Sequence, residues 1–419
     1  MSNSRWINLG AAYVALVAGF LPYVGWSPSL DAISEDLGLS YAQAGTISSV
    51  TGFVAGATIL VGGLLATRLG SKLVVLVGLA AGVAGQLMFS MADSFEWVIA
   101  GRVLAGLAVG FLWVATYTMA VDWFRDSKQT DRALGVMLSG DGVGALLSLF
   151  AFSALLAALG WRTGLTVQAI VLLAVFVLVL AVSKNAPSSG VDSDPVQTGV
   201  VTPTPLTTAD RSIRSVMNRN VVSGLIFWIG GVGVFSVIAS WMPAILVEEG
   251  GLSQSLAGLL ASLFSIAGMG GALAAPLLAT RLKSNKRVIL LSGIAMTIAV
   301  AAMTLFVATG DWVLLAITIP LIGVSQYTGQ TLALAEAVDS VDPHYAGVVN
   351  GLILGVPWLV SGFAYPYVIG LVKDSTGSFV GGFVAVAVAT LVLCAISPLF
   401  IKEVAPATTE SPEVLDSRL

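Results

Sequence analysis

Twelve long runs of mostly apolar residues dominate this chain of 419 residues. Each run has about 20 residues or more, which is the length that an α-helix needs to cross a bilayer. Membrane-spanning strands would alternate in segments of about 10 residues instead. Charged residues make up 10% of the chain, against about 25% in soluble proteins. The sequence therefore predicts an all-α membrane protein with twelve transmembrane helices. The runs lie at residues 8–30, 42–67, 72–92, 96–124, 132–158, 162–183, 220–245, 253–280, 287–308, 312–335, 345–372 and 379–401.

A hexapeptide, Leu-Leu-Ala-Thr-Arg-Leu, occurs twice, at 64–69 and at 277–282, and basic residues follow both copies. A duplicated helix-and-turn unit half a chain apart indicates two similar halves, as in transporters whose substrate site lies between the repeats. A stretch rich in Ser, Thr, Pro and Asp separates the sixth run from the seventh, which favours a flexible linker. We expect four segments. They are a six-helix bundle at 1–183, a cytoplasmic linker at 184–217, a second six-helix bundle at 218–402 and a disordered cytoplasmic tail at 403–419.

Basic residues are distributed unequally between the two sides of the twelve runs. Of the 19 Lys and Arg residues, 16 lie on the side that also carries both termini, and the exceptions are Arg102, Arg162 and Lys373. Basic residues accumulate in the cytoplasmic loops of membrane proteins. The expected location is therefore the plasma (inner) membrane, with both termini in the cytoplasm.

Three short motifs resemble a known family. Residues 63–72 (GLLATRLGSK) resemble the loop signature between the second and third helices of the major facilitator superfamily. Residues 102–110 (RVLAGLAVG) resemble the signature of its fourth helix, and Gly160-Trp161-Arg162 resembles the turn before its sixth. The resemblance spans essentially the whole chain. It implies two pseudo-symmetric six-helix bundles, with helices 1, 4, 7 and 10 around a central cavity.

Two pairs of opposite charges recur with the repeat. Arg68 and Asp122 lie on the side of the termini in the first half, and Arg281 and Glu336 lie there in the second. We expect two ion pairs, Arg68–Asp122 and Arg281–Glu336, that form a cytoplasmic gate. The resemblance implies that such clamps hold the outward-open state and break when the protein opens inward. Static structural pairing is the alternative.

Arg102 is a charged residue inside the fourth run. It begins a stripe at helical spacing that includes Trp113 and Tyr117, which suits a water-accessible cavity. A charge within the bilayer costs at least ~2.5–3.5 kcal/mol and therefore needs a partner or a function. Two roles stay open: paired hydrogen bonds to an anionic substrate, or packing against carbonyls of helix 1 or 2, a common use of this arginine in the family.

Asp141 lies near the middle of the fifth run, within residues 139–144 (SGDGVG). This segment resembles the glycine-rich motif of the family's proton antiporters, except that Asp141 stands in the place of the proline, which argues against a drug–proton antiporter. The flanking glycines allow close packing against another helix. Asp141 is the candidate carrier of a coupling proton, and a structural carboxyl between the halves is the alternative.

Aromatic and amide side chains complete the candidate substrate site. A small, partly apolar solute suits aromatic surfaces with a few amide groups, although some aromatic residues belong to the interfacial belts. Gln326 and Gln330 are the strongest candidates, because two amides on one helical face at mid-depth have little reason to face lipid. The candidates beyond Arg102, Trp113 and Tyr117 are Tyr23, Trp228, Gln326, Gln330 and Asn350.

Several function classes have no support in the sequence. There is no nucleotide-binding loop, no cluster of metal ligands and no catalytic triad, and the net charge of −4 does not favour nucleic-acid binding. We therefore predict neither a cofactor nor an enzyme, but a monomeric secondary active transporter working by alternating access. The expected substrate is a small organic solute, in the first place an organic anion, and Asp141 as a proton carrier would couple its transport to protons. The alternatives are an efflux antiporter for hydrophobic or cationic compounds and, from another class, a membrane sensor.

Overall fold

Twelve helices, labelled α1–α12, make up most of the computed structural model, which describes residues 2–125, 129–186, 216–342 and 345–402. Most of the predicted linker, 187–215, and the predicted tail, 403–419, lie outside the described residues. The first half contains α1 (Ser2–Val24), α2 (Tyr41–Leu69), α3 (Ser71–Ser90), α4 (Phe95–Phe124), α5 (Thr130–Leu146, continued through Leu147–Ala151 and Phe152–Leu159) and α6 (Trp161–Val182). The second contains α7 (Arg219–Glu248), α8 (Gln254–Leu282), α9 (Asn285–Thr309), α10 (Trp312–Asp339), α11 (Ala346–Thr376) and α12 (Val380–Thr390, continued through Leu391–Ile396 and Ser397–Phe400).

All twelve helices are long and apolar enough to cross a membrane, which confirms the predicted number. The largest differences are at the two ends of the first helix, which begins at Ser2 rather than at residue 8. The predicted run extends to residue 30, but α1 ends at Val24 and is followed by a 3₁₀ turn, Ser27–Ser29, and a short helix, Leu30–Leu37. The apolar run does not reveal this end, because the residues after α1 are buried inside the protein rather than exposed to water.

The second helix of each half begins with a serine N-cap. Ser40 caps α2 by accepting a hydrogen bond from the backbone of Gln43, and Ser253 caps α8 by accepting one from Leu256. Such caps satisfy backbone amides that have no partner within the helix. Both serines precede the helix that ends in the repeated hexapeptide. The two copies of that helix therefore begin with the same chemistry.

In each half, a lysine at the start of the third helix forms hydrogen bonds with the end of the sixth helix of that half. Lys72 donates hydrogen bonds to the carbonyls of Leu180 and Ser183 at the end of α6, at 3.0 and 2.6 Å. In the second half Lys286 donates to the carbonyls of Leu399 and Ile401, at 2.9 and 2.8 Å. A cation at the carboxyl end of a helix satisfies carbonyls that the helix leaves free and interacts favourably with the helix dipole.

An asparagine on the first helix of each half forms hydrogen bonds with the backbone just beyond the end of the sixth helix of that half. The Asn8 side chain accepts a hydrogen bond from the backbone amide of Lys184 at 2.7 Å. The Asn220 side chain accepts one from the amide of Lys402 at 2.9 Å and donates one to its carbonyl. We call the Lys72–Asn8 and Lys286–Asn220 contacts the terminal clasps. They place the starts of α1 and α7 and the ends of α6 and α12 on one side of the molecule, the terminal face. The opposite side is called the distal face.

The two halves have their most extensive contact along α2 and α11. A Cβ atom built on Gly52 would lie 2.7 Å from the carbonyl oxygen of Gly362, and one on Gly56 would lie 2.6 Å from the backbone nitrogen of Leu359. Glycine therefore allows two helices from opposite halves to pack backbone against backbone, as small residues do at helix contacts in membranes. On the other side of the molecule, α5 and α8 pack together at Gly142 and Met269.

Candidate functional site

Hydrogen bonds hold the two halves together on the distal face. Asp374, at the end of α11, accepts hydrogen bonds from the backbone amides of Tyr41 and Ala42, at 2.9 and 2.7 Å. The Tyr41 hydroxyl donates to the carboxylate of Glu248 at 2.6 Å. Asp374 thus caps the first turn of a helix that belongs to the other half. We call Tyr41, Glu248 and Asp374 the distal latch.

Lys373 supports this latch from within the second half. Its ammonium lies 2.8 Å from the Glu249 carboxylate and 3.7 Å from that of Glu248, and the residue is only 8% exposed. The ammonium also lies over the ring of Phe379, 4.1 Å from its centroid. The cation and the aromatic contact hold Glu248 where Tyr41 can reach it.

Replacing Asp374 by alanine should make the distal face open more often, because the first amides of α2 lose their acceptor. An N-cap of this kind is worth about 0.5–2 kcal/mol. The measurement is the rate at which a maleimide labels a cysteine placed at Ser240, which is buried between the halves against Ser48, with the native Cys394 removed. Faster labelling is expected.

Asp311 provides the matched control, because it caps α10 within its own half through the amide of Leu314. Asp311→Ala should weaken a helix start without changing the labelling rate at position 240. Equal rates for the Asp374 and Asp311 variants would show that Asp374 does not hold the halves together.

A layer of aromatic rings, here called the aromatic plug, lies between the distal latch and the centre. Tyr23 stacks on Phe235 with ring centroids 5.9 Å apart. The Trp358 ring lies 5.4 Å from that of Tyr23 and 5.7 Å from that of Trp113, so it contacts the first half from the second. The plug comprises Phe20, Tyr23, Trp113, Phe235, Phe264, Tyr327 and Trp358. Two predicted substrate contacts, Tyr23 and Trp113, therefore belong to a closing layer between the halves.

Asp141 lies near two tyrosines, one of which, Tyr327, also belongs to the plug. Its carboxyl interacts electrostatically with the hydroxyls of Tyr117, on α4, and Tyr327, on α10. Asp141 is 6% exposed, and its Oδ1 atom has no hydrogen-bond partner among the described residues. Among the described residues, no charged side chain lies close enough to neutralise the Asp141 carboxylate. We call Asp141, Tyr117 and Tyr327 the polar centre.

Gln326 and Gln330 form a hydrogen-bonded pair on α10. The Gln326 side-chain nitrogen donates to the Gln330 side-chain oxygen at 3.2 Å. The indole of Trp228, on α7, donates to the backbone carbonyl of Gln330 at 3.0 Å. The structure thus brings together three of the predicted substrate residues. Asn350 is also buried, with an Oδ1 atom that has no described partner, but no described hydrogen bond joins it to this pair.

Arg102, predicted either to contact the substrate or to pack against backbone carbonyls, takes the second of these positions in the structure. Its side chain is fully buried and donates hydrogen bonds to the carbonyls of Pro22, Tyr23 and Ile47. The first two carbonyls belong to the last turn of α1, where free carbonyls and the helix dipole favour a cation. The guanidinium also lies over the ring of Trp26, 5.0 Å from its centroid. The structure therefore supports the structural alternative.

The two expected cytoplasmic ion pairs are absent from the ion pairs of the described residues. Asp122 pairs with Arg125 at 2.8 Å instead of with Arg68. Glu336 accepts a hydrogen bond from Asn285 at 2.8 Å. Arg68 and Arg281 are exposed. Arg125 can pair with Asp122 because side chains three residues apart are neighbours in helical backbone.

Two structural features escaped the sequence reasoning. Lys72 and Lys286 follow the two copies of the hexapeptide, so a comparison of the repeats beyond the hexapeptide could have found the clasps. Asp374 had no signal in the sequence, because its role depends on how the halves meet.

Comparisons with known proteins agree with this architecture. The family model described as Major Facilitator Superfamily matches residues 9–366. The chain is 25% identical over 407 residues to the nitrite extrusion protein of Bacillus subtilis (strain 168), covering 94% of each chain. It is 24% identical over 387 residues to the hexuronate transporter of the same organism, covering 88% of each.

A solved structure has the same fold. It is a bacterial homolog to the human lysosomal transporter Spinster in an inward-facing and unoccupied conformation, with a TM-score of 0.74 and 16% identity, covering 96% of this chain and 97% of that one. With twelve membrane-length helices in two similar halves and a family match along most of its length, this chain belongs to the Major Facilitator Superfamily and is a multi-pass membrane transporter of solutes.

Proposed function

We propose that this protein is a secondary active transporter that moves a small organic anion together with a proton by alternating access. The observation that carries the proposal is the position of Asp141, which is buried near tyrosines from both halves and has no described charged partner. The names of two relatives, a nitrite extrusion protein and a hexuronate transporter, support an anionic solute.

The sign of the coupling follows from the charges of the polar centre. An ionised Asp141 would repel an anion, whereas a protonated carboxyl can donate a hydrogen bond to it. With Arg102 engaged by carbonyls, no described cation is available there to compensate. An anion can then bind well only when Asp141 carries a proton, so the two travel together.

The distribution of basic residues indicates which face of the molecule lies on the cytoplasmic side of the membrane. The terminal face carries the excess of Lys and Arg and is therefore the cytoplasmic side of the plasma membrane. On this assignment the distal latch and the aromatic plug close the site to the outside. Arg68 with Asp122, and Arg281 with Glu336, remain candidates for pairs that form in the outward-open state.

The test is uptake of glucuronate and 3-hydroxybutyrate by purified protein in proteoliposomes. An inward proton gradient, with the outside more acidic than the lumen, should drive accumulation of the solute by the wild type. In Asp141→Asn the gradient should no longer drive it, because an amide cannot release a proton, whereas exchange of internal for external solute should continue. The matched control, Asp311→Asn, should accumulate solute normally.

Accumulation at the wild-type level in Asp141→Asn would contradict the assignment of this residue. The same assay separates transport from sensing, since a sensor would bind solute without any flux.

One observation favours a second candidate, efflux of cationic compounds. An ionised Asp141 beside an aromatic layer could hold an organic cation. The two candidates predict opposite effects of pH. Acidification should strengthen the binding of an anion that requires protonated Asp141, and it should weaken the binding of a cation that competes with the proton.

A further inference from the structure

The amide pair on α10 is buried but not saturated with hydrogen bonds. Gln326 and Gln330 are 2% and 6% exposed. After the hydrogen bond that joins them, the Gln326 side-chain oxygen and the Gln330 side-chain nitrogen have no partner among the described residues. Buried polar atoms without partners are rare in proteins, because each forfeits its hydrogen bonds to water. These two atoms therefore need an explanation.

The pattern that the pair presents does not depend on how the two amides are oriented. Oxygen and nitrogen of an amide are assigned from the hydrogen-bond network rather than seen directly. If Gln326 donates to Gln330, one oxygen and one amino group stay free. If both amides are rotated, Gln330 donates to Gln326, and again one oxygen and one amino group stay free. In either case the hydrogen-bonded pair offers one free acceptor and one free donor.

The neighbouring helix leaves space for this pair. A Cβ atom on Gly231, on α7, would lie 2.6 Å from the Gln330 side-chain nitrogen and 3.3 Å from Cγ of Gln326. Any larger residue at position 231 would displace the free amino group. The indole of Trp228, one turn earlier on α7, fixes the backbone of Gln330. Tyr327, the residue after Gln326, reaches the polar centre with Asp141.

We infer that the amide pair is the subsite for a neutral group of the solute that donates and accepts hydrogen bonds at adjacent positions, namely a hydroxyl or a primary amide. Such a group satisfies both free atoms of the pair. A carboxylate, an ether or an ester can only accept, and would leave the free amide oxygen unpaired. This inference rests on the proposed function and divides the solute between two places, with its acidic group at the polar centre and its hydroxyl or amide at the pair.

Two series of compounds test this subsite with the purified wild-type protein. The acidic series is 3-hydroxybutyrate, 3-methoxybutyrate and butyrate, and the neutral series is butyramide and methyl butyrate. Leaving a buried polar atom unpaired typically weakens binding about tenfold or more. We expect 3-hydroxybutyrate to bind about tenfold more tightly than the other two acids. Butyramide should bind more tightly than methyl butyrate by a similar factor. Because both compounds are neutral, this comparison removes any effect of charge on binding.

Variants locate the preference on the protein. In the double variant Gln326→Met, Gln330→Met both ratios should fall to about one. Gly231→Ala is a second variant that retains both amides but displaces one, and it should reduce the ratios as well. Gly270→Ala on α8, where an added Cβ meets nothing within 4 Å, is the matched control and should leave them unchanged.

Each outcome decides something. Ratios near one in the wild type, or ratios that persist in the double variant, would overturn the subsite and leave the proposed transport function intact. A preference for butyramide without binding of any acid would support the subsite and overturn the organic-anion class. If no compound of either series binds, the subsite and the proposed solute class fall together.

Discussion

Arg102→Met is expected to destabilise the protein more than any other arginine substitution within the described part. Three carbonyl groups would lose a charged donor in a site that water does not reach, and the contact with Trp26 would also be lost. Removing one partner from a buried charged interaction typically costs about 3–5 kcal/mol. The measurement is thermal unfolding of the purified protein in detergent.

Lysine should not rescue this position. Its single ammonium cannot reproduce the planar arrangement of donors with which Arg102 reaches carbonyls on both α1 and α2. Arg162→Met is the control, because Arg162 is about half exposed and pairs with Asp36 at the surface, where an ion pair is worth about 0–1 kcal/mol. If the two methionine variants unfold at the same temperature, the structural role of Arg102 is refuted.

Gly52→Ala is expected to shift the protein from the closed to the open distal face. The added Cβ would lie 2.7–3.1 Å from three backbone atoms of Gly362, none of which can rotate away. The helices α2 and α11 must therefore separate. Overpacking of this kind costs typically about 1–3 kcal/mol, and a cost of about 1.4 kcal/mol changes the ratio of two states tenfold.

Distance measurements between spin labels at Asp93 and Thr309 would report this shift, since these exposed residues lie on the distal face in opposite halves. A longer distance should become the major population in Gly52→Ala. Gly270→Ala, where the added methyl group meets open space, should retain the wild-type distribution. An unchanged distribution in both variants would mean that the α2–α11 contact does not govern closure.

Most of the architecture could be predicted from the sequence, because its signals are local or repeated. Apolar runs reveal membrane helices without knowledge of their partners, and a hexapeptide at two positions reveals two halves. The hydrogen bond between Gln326 and Gln330 also follows from local geometry, since residues four apart are neighbours on a helix.

The roles of single charges could not be predicted equally well. Whether Arg102 faces solute or carbonyls depends on where α1 ends, and the apolar run continues past that point. The repeat predicts Arg68 as the partner of Asp122, but in this structure Asp122 pairs with Arg125, which lies three residues along the chain and needs no tertiary contact to reach it. Asp374 caps a helix that begins 333 residues earlier in the chain, and nothing in the order of residues links the two.

The terminal clasps have a consequence for the covalent connection between the bundles. Each bundle secures its own last residues, through Asn8 in one case and Asn220 in the other. The peptide that joins the bundles is therefore not needed to hold these ends, and its role is to keep the two bundles at equal stoichiometry and close range. Expressed as separate chains, the two bundles should associate in the bilayer and transport solute without a covalent bond between them.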